Sequence, residues 1–285
     1  MIGNLKYRNA SGGEVEFDIS TGFIISEMSG LTENSITLST SQGFTQIGST
    51  VQGTSVEEKP ISIEGTILGY AKDQAALLLD TILPDVIGQL IYNDEWAITV
   101  YPTETPYVEQ YDHNPKFQFS LTAPYPYWSK AQETNVSLAG IEPMFSFPWD
   151  LSQSFTFGTR LSPAFAWIYN PGSVESLYSI TFRAMSEGVT NPRITNAKTY
   201  EYLHIKKDMA LGETITVSIT YGGVNVTSDI GGTVTDIIGY FDIQSDLYRM
   251  HPGDNVIAYN ADTGRDNLDV NVTFNVGTVW VRGRD

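Results

Sequence analysis

Phe-Gln-Phe-Ser-Leu-Thr-Ala-Pro-Tyr-Pro-Tyr-Trp, residues 117–128, decides how the rest of the chain is read. Its first half alternates like a strand, with Phe117, Phe119 and Leu121 on one side and Gln118, Ser120 and Thr122 on the other. Its second half cannot continue as a central strand. Pro124 and Pro126 have no N–H to give a ladder, and each pushes the residue before it towards extended geometry. The stretch therefore predicts a strand that runs into a stiff aromatic connector ending at Tyr127 and Trp128. A pattern with one helix lies before it and an all-strand pattern after it. This is the last strand of a first domain, residues 1–128, and the entry to a second, residues 129–285.

A chain of 285 residues suits two domains, and 41% apolar content is enough for a core in each. The absence of cysteine excludes disulfides, thiolate metal sites and cysteine nucleophiles. No apolar run approaches the roughly 20 residues of a membrane span, so no membrane insertion is expected. Residues 1–6 are too polar for a secretory signal, so export by that route is not expected either. The net charge of −17 argues against gripping DNA, because phosphate neutralisation needs a basic face. It is compatible with DNA sliding past, since a channel that repels the backbone does not hold it. Solubility is the other explanation for an acidic chain.

Within residues 1–128, residues 15–19, 23–25, 36–39, 61–67, 90–92 and 96–101 read as short strands. The spacing of Ala75, Leu78, Leu79 and Ile82 predicts a helix over residues 71–83, with Asp73 at its positive end and Pro84 stopping it. Asn93-Asp94 is a turn pair, and residues 102–115 read as a polar loop. Residues 42–59 are rich in Gly, Ser, Thr and Gln and have few large apolar side chains to bury. Between strand-like flanks at 36–39 and 61–67, they are expected to form either a mobile loop or a long projecting hairpin ordered by a partner.

After residue 128 no second helix is evident. Short β-rich runs recur at 155–157, 166–169, 179–184, 194–196, 200–205, 214–219, 256–259 and 268–274, separated by Gly and Asn turns. This predicts a β-sandwich. Leu268, Val270, Val272 and Phe274 alternate with polar residues, and residues 279–281 read as a closing edge strand. The fold class is mainly β with one helix.

The chain offers little that points to catalysis. His113, His204 and His251 match no metal or catalytic spacing. Residues 262–269 carry Asp at 262, 266 and 269 but miss the EF-hand pattern in spacing and in the terminal Glu. There is no phosphate-binding glycine loop and no Gly-x-Ser-x-Gly. No catalytic, metal or cofactor residues are assigned, and no enzyme activity is expected. Tyr125, Tyr127, Trp128 and Trp149, with Phe145 and Phe147, can stack on sugars or pack two domains together.

Several landmarks stand in one order: Ser-Gln-Gly-Phe-Thr-Gln-Ile-Gly-Ser-Thr at 41–50, Ile-Ser-Ile-Glu-Gly-Thr-Ile at 61–67, one helix and Pro84, the stretch at 117–128, Asn-Pro-Gly at 170–172, and His-Pro-Gly-Asp-Asn-Val-Ile-Ala-Tyr at 251–259. This ordered set resembles the distal tail protein family of long-tailed, non-contractile bacteriophages. The resemblance implies an N-terminal ring-forming β domain and a C-terminal galectin-like β-sandwich. It implies a homohexameric ring at the tail tip, a baseplate hub between the tail tube protein and the tail-associated baseplate protein, with a receptor-binding protein as a further partner and DNA passing through the lumen. Such a protein is assembled in the host bacterial cytoplasm and ends in the virion. The subunit interface would then include Gln42, Gly43, Phe44, Gly48, Gly53, Glu57 and Glu58. The alternative is a carbohydrate-binding protein that acts through its C-terminal sandwich in attachment to the host surface.

Overall fold

The structure is a computed structural model that describes residues 4–69, 72–109, 113–138, 140–143, 158–161, 165–220 and 222–281. The described residues are mostly β with one α-helix, and the chain divides into two compact units. Met1–Gln132 and Gly277–Asp285 form the first, and Glu133–Val276 the second. The division falls a few residues beyond the boundary expected at 128. The expected assignment of the chain's end to the second domain is corrected, because residues from Gly277 onward return to the first unit.

The first unit runs β1 (Leu5–Asn9), β2 (Glu14–Phe17), β3 (Phe23–Met28), β4 (Ile36–Ser41), β5 (Thr50–Val56), β6 (Lys59–Ile67), α1 (Lys72–Thr81), β7 (Gly88–Tyr92), β8 (Trp96–Val108), β9 (Lys116–Ala123) and β10 (Trp128–Lys130). An antiparallel sheet has the order β2-β1-β7-β8-β9-β6-β3, with β10 added beside β8 and the pair Gly277–Thr278 beside β10. β8 is the joint. Its first residues pair with β7 and β10, and its later ones with β9, across register shifts around Glu104. Such irregularities let a strand bend from one sheet surface into another. The expected loop at 102–115 is therefore strand up to Val108.

Both parts of that sheet bury the alternate residues of their strands in one core, including Leu5, Tyr7, Ile61, Ile63, Leu90, Val100, Phe117, Phe119 and Leu121. Phe17 stacks near Phe117 and Phe119, with ring centroids 6.0 and 5.8 Å apart. Gly65 is required where β6 passes β3, since a Cβ there would lie 2.4 Å from the Ile24 carbonyl oxygen. α1 adds Leu78 to the core, and Ile82 just past its last residue joins it, with Ala75 half-buried. Leu79, expected on that face, is 44% exposed, so the helix buries a narrower stripe than its sequence suggested. Asn9 Nδ2 donates to the Thr81 carbonyl oxygen, tying the helix's last turn to β1.

The second unit runs β11 (Thr134–Ser137), β12 (Gly140–Pro143), β13 (Gly158–Leu161), β14 (Ala166–Asn170), β15 (Tyr178–Ala184), β16 (Val189–Thr190), β17 (Arg193–Asn196), β18 (Tyr202–His204), β19 (Asp208–Met209), β20 (Thr214–Thr220), β21 (Gly223–Ile230), β22 (Thr233–Asp236), β23 (Gly253–Asn260) and β24 (Leu268–Phe274). Six strands form one antiparallel sheet, β11-β24-β15-β20-β21-β22, and four form another, β14-β23-β17-β18. Period-2 burial along β15, β20 and β24 gives one inner face, and Ile168, Ile194, Leu203, Ile257 and Tyr259 give the other. These are the two sheets of the expected sandwich. The hairpin from β21 to β22 turns on Gly231-Gly232, both with positive φ, as a two-residue turn of this twist needs. The expected strand at 155–157 lies outside the described residues.

Candidate functional site

The feature of the first unit that its own core does not use is the hairpin of β4 and β5. Among the described residues it pairs only with itself, and every residue of both strands is exposed. The return strand is Thr50–Val56, which corrects the sequence reading. Residues 61–67, expected as the hairpin's second side, lie inside the main sheet instead. A shift in register between Ser39 and Thr40 sets the pairs Ile36↔Val56, Leu38↔Thr54 and Thr40↔Val51. Paired residues share a face, so Ile36, Leu38, Val51 and Val56 line one side of the arm. Phe44 and Ile47, at the tip, are fully exposed. The arm is thus more apolar than residues 42–59 alone suggested, because its apolar row draws on β4 as well.

Of the residues expected at an interface, Gln42, Gly43, Phe44, Gly48 and Gly53 lie on this arm, and Glu57 and Glu58 lie at its root; all are exposed. Lys59, the next residue, is 1% exposed, and its ammonium has no hydrogen-bond partner. Burial lowers its pKa, and the Glu33 carboxylate nearby opposes that shift only in part.

The connector aromatics sit differently from the sugar-stacking expectation. Trp128 is fully buried in the first unit's core, and its Nε1–H donates to the Leu31 carbonyl oxygen at 3.1 Å. Tyr125 and Tyr127 are half-buried and pack edge to face, 5.0 Å apart. Trp128 therefore cannot stack on a ligand, and its role is packing within one unit. Trp149, with Phe145 and Phe147, lies outside the described residues.

The histidines are not brought together. In the second unit His204 Nδ1 lies 3.3 Å from the Asp242 carboxylate, and His251 Nδ1 lies 3.0 Å from Glu175. Asp242 is held below the usual carboxylate range by the Gln244 N–H and by Lys206. Among the described residues no group of His, Asp and Glu side chains is arranged to hold a metal ion, and no helix is long and apolar enough to cross a membrane. A buried carboxylate, Glu213, is fully satisfied by Lys207 Nζ at 2.7 and 2.9 Å, the Ser228 hydroxyl at 2.6 Å and the Ala210 N–H at 2.8 Å. Burial alone would raise its pKa; these donors together outweigh burial and hold it low. With every acceptor site occupied, it ties the turn after β19 to β21 as a structural group.

The fold thus combines a β unit bearing an unpacked arm with a β unit of two packed sheets. Residues 171–277 match the family model described as the siphovirus-type tail component, C-terminal domain. The chain's resemblance to the distal tail protein family, read above from ordered landmarks, holds. In fold the chain is similar to the SPP1 Dit protein, described as a paradigm of hub adsorption apparatus in Gram-positive infecting phages. The TM-score is 0.66 and the identity 12%, over 96% of this chain and 98% of that one. It is similar also to a chain of the phage P2 baseplate in its activated conformation with Ca, at TM-score 0.55 and 11% identity over 99% of this chain and 100% of that one. The corresponding structure with Sr gives a TM-score of 0.54 and 11% identity, again over 99% and 100%. At these identities the likeness is one of fold. No curated protein matches the chain by sequence.

Proposed function

We propose that this chain is a structural component of a phage tail tip: a homohexameric ring, or baseplate hub, that joins the tail tube protein to the tail-associated baseplate protein and to receptor-binding parts. The observation that carries this reading is the β4–β5 arm. A two-stranded hairpin with no packing layer is marginal in water. This one exposes Ile36, Leu38, Phe44, Ile47, Val51 and Val56. Burying each such side chain is worth about 1.5–3 kcal/mol, before the entropy of association is subtracted. A neighbouring copy supplies the missing surface without any new partner, and a head-to-tail contact repeated around an axis closes into a ring. The match of residues 171–277 supports the tail setting. The net charge of −17 suits a lumen that repels DNA and lets it slide. The protein would be assembled in the bacterial cytoplasm and would act in the virion.

Light scattering and negative-stain imaging of the purified chain test the reading. A hexameric mass with a central hole is expected, and a monomer at all concentrations overturns it. A band-shift assay at low salt is expected to show no tight, salt-sensitive binding of double-stranded DNA.

A further inference from the structure

The four-stranded sheet of the second unit has two edges, β14 and β18, and the chain treats them differently. Residues 241–246 close the β18 edge. The His204 carbonyl oxygen accepts from the Asp242 N–H at 3.0 Å, and the Tyr202 carbonyl oxygen from the Asp246 N–H at 2.9 Å. The Tyr202 N–H donates to the Asp246 carboxylate at 3.2 Å, and the His204 N–H to the Ser245 hydroxyl at 3.0 Å. Every outward backbone group of β18 is thereby used.

The β14 edge has no such cover among the described residues. The Ala197 N–H donates to the Val256 carbonyl oxygen at 2.7 Å, so Val256 faces β17. Its neighbours Asn255 and Ile257 face β14, where they pair with Ile168 and Ala166. Backbone direction alternates along an antiparallel strand, so Trp167 and Tyr169 turn their N–H and C=O groups outward. None of these groups has a partner among the described residues. Natural sheets blunt an open edge with a charge, a proline or a bulge. Residues 165–170, Phe-Ala-Trp-Ile-Tyr-Asn, carry neither charge nor proline, and β14 keeps an unbroken register with β23. The side chains of the same two residues face water. Trp167 and Tyr169 are 63% and 65% exposed on the outer face of the sheet, and Phe165 sets its ring edge to face with Trp167 at 6.5 Å.

We infer that β14 pairs antiparallel with β14 of a second copy, about a two-fold axis at Ile168. That register puts Trp167 of each copy opposite Tyr169 of the other. Opposed residues of a bonded pair exchange both of their N–H to C=O bonds, so all the outward groups of Trp167 and Tyr169 in both copies are satisfied. The two Trp–Tyr pairs fall on one face, where aromatic cross-strand contacts stabilise a sheet. A second copy fits this edge because the pairing is self-complementary, as a two-fold contact requires. The paired segments also bring no like charges together, in a chain of net charge −17. Two four-stranded sheets merge into one continuous sheet. The inference goes beyond the ring reading and does not depend on it.

Light scattering of the full chain on dilution tests it, with Tyr169→Pro and Trp167→Lys as variants. Proline at an edge position whose N–H points outward removes no bond within the sheet, and Trp167 is exposed. Both variants are therefore expected to keep the parent melting temperature. Each is expected to halve the mass of the parent's largest species. A doubled ring that falls to a single ring supports pairing and ring together. A dimer that falls to a monomer supports pairing and overturns the ring. A mass that neither variant lowers overturns pairing, whatever the ring does. Cysteine cross-linking reads the register, since the chain has no cysteine of its own. Bonded antiparallel pairs hold their Cα atoms about 5.5 Å apart, within disulfide reach. A mixture of Trp167→Cys and Tyr169→Cys chains is expected to form disulfide-linked dimers ten-fold or more faster than either variant alone. Equal rates overturn the register and the proposal with it.

Discussion

At the scale of single residues, two buried charges behave in opposite ways. Lys59 is buried at the root of the arm with no hydrogen-bond partner, and burial lowers its pKa. The fold therefore binds that proton less well than the unfolded chain does. The cost is present at neutral pH and is relieved as pH rises from the folded value towards about 10.4. Lys59→Met is expected to stabilise the monomer by about 1–3 kcal/mol in urea denaturation at pH 7, with the gain shrinking at pH 10. Glu213 is the reverse. Burial raises its pKa, but Lys207, Ser228 and Ala210 overcome that and leave it lowered. Its contribution is fully present above the unfolded carboxylate value of about 4.3 and is lost as pH falls through the folded value. Removing the carboxylate takes the counter-charge from the mostly buried Lys207 and leaves the Ser228 hydroxyl and the Ala210 N–H without their acceptor, so Glu213→Ala is expected to cost about 3–5 kcal/mol at pH 7 and to flatten the acid limb of the stability profile.

At the scale of elements, the helix and the arm make separable predictions. Leu78 is fully buried on α1 while Leu79 is 44% exposed. Leu78→Ala is expected to lose about 2–5 kcal/mol, and Leu79→Ala less than about 0.5 kcal/mol, as read by chemical denaturation. Among the described residues the arm pairs with no other strand, so replacing residues 37–55 with a short Gly-Ser turn is expected to leave the monomer's melting temperature nearly unchanged. The same change is expected to shift the assembly to monomers in light scattering on dilution. An arm-deleted chain that keeps its ring would make the hairpin a bystander. The helix was legible because its stripe recurs at 3.6 residues. The exposure of Leu79 was not, since a helical pattern does not say how wide a sheet surface lies beneath it.

At the scale of the whole chain, the end of the sequence completes the beginning. Gly277–Thr278 pairs with β10, the Val279 carbonyl oxygen accepts from Asn34 Nδ2, and Val281 joins the first unit's core. Truncation after Val276 is expected to destabilise the first unit while sparing the second. A fragment 1–132 is expected to unfold cooperatively but at a lower temperature than the same unit in the full chain. Calorimetry that resolves two transitions reads both outcomes, and equal midpoints with and without the tail would contradict the completing role. The sequence reading of residues 279–281 as an edge strand of the sandwich recognised an apolar end but could not know its destination. Two residues of pairing and one buried valine leave no periodic signal.

The sequence by itself determined the strands whose alternate side chains must leave water: 117–121, 61–67, 179–184, 214–219 and 268–274. Burial of one sheet face imposes a period of two that survives in any linear reading. It determined the helix, the turn at Asn93-Asp94, and the ordered landmarks behind the family resemblance. Only the tertiary structure decided which strand returns the arm, because Val51 and Val56 look like core residues until no layer is found to cover them. Only it revealed β21, whose inward Ser228 breaks the apolar pattern in order to bond Glu213. Only it set Trp167 and Tyr169 on an open edge and closed the opposite edge with residues 241–246, since a sheet's edges follow from the order in which β14, β23, β17 and β18 pair and not from the pattern of any one strand. Local periodicity reports what each segment needs from its surroundings; which partner meets the need is a non-local matter that the fold alone settles.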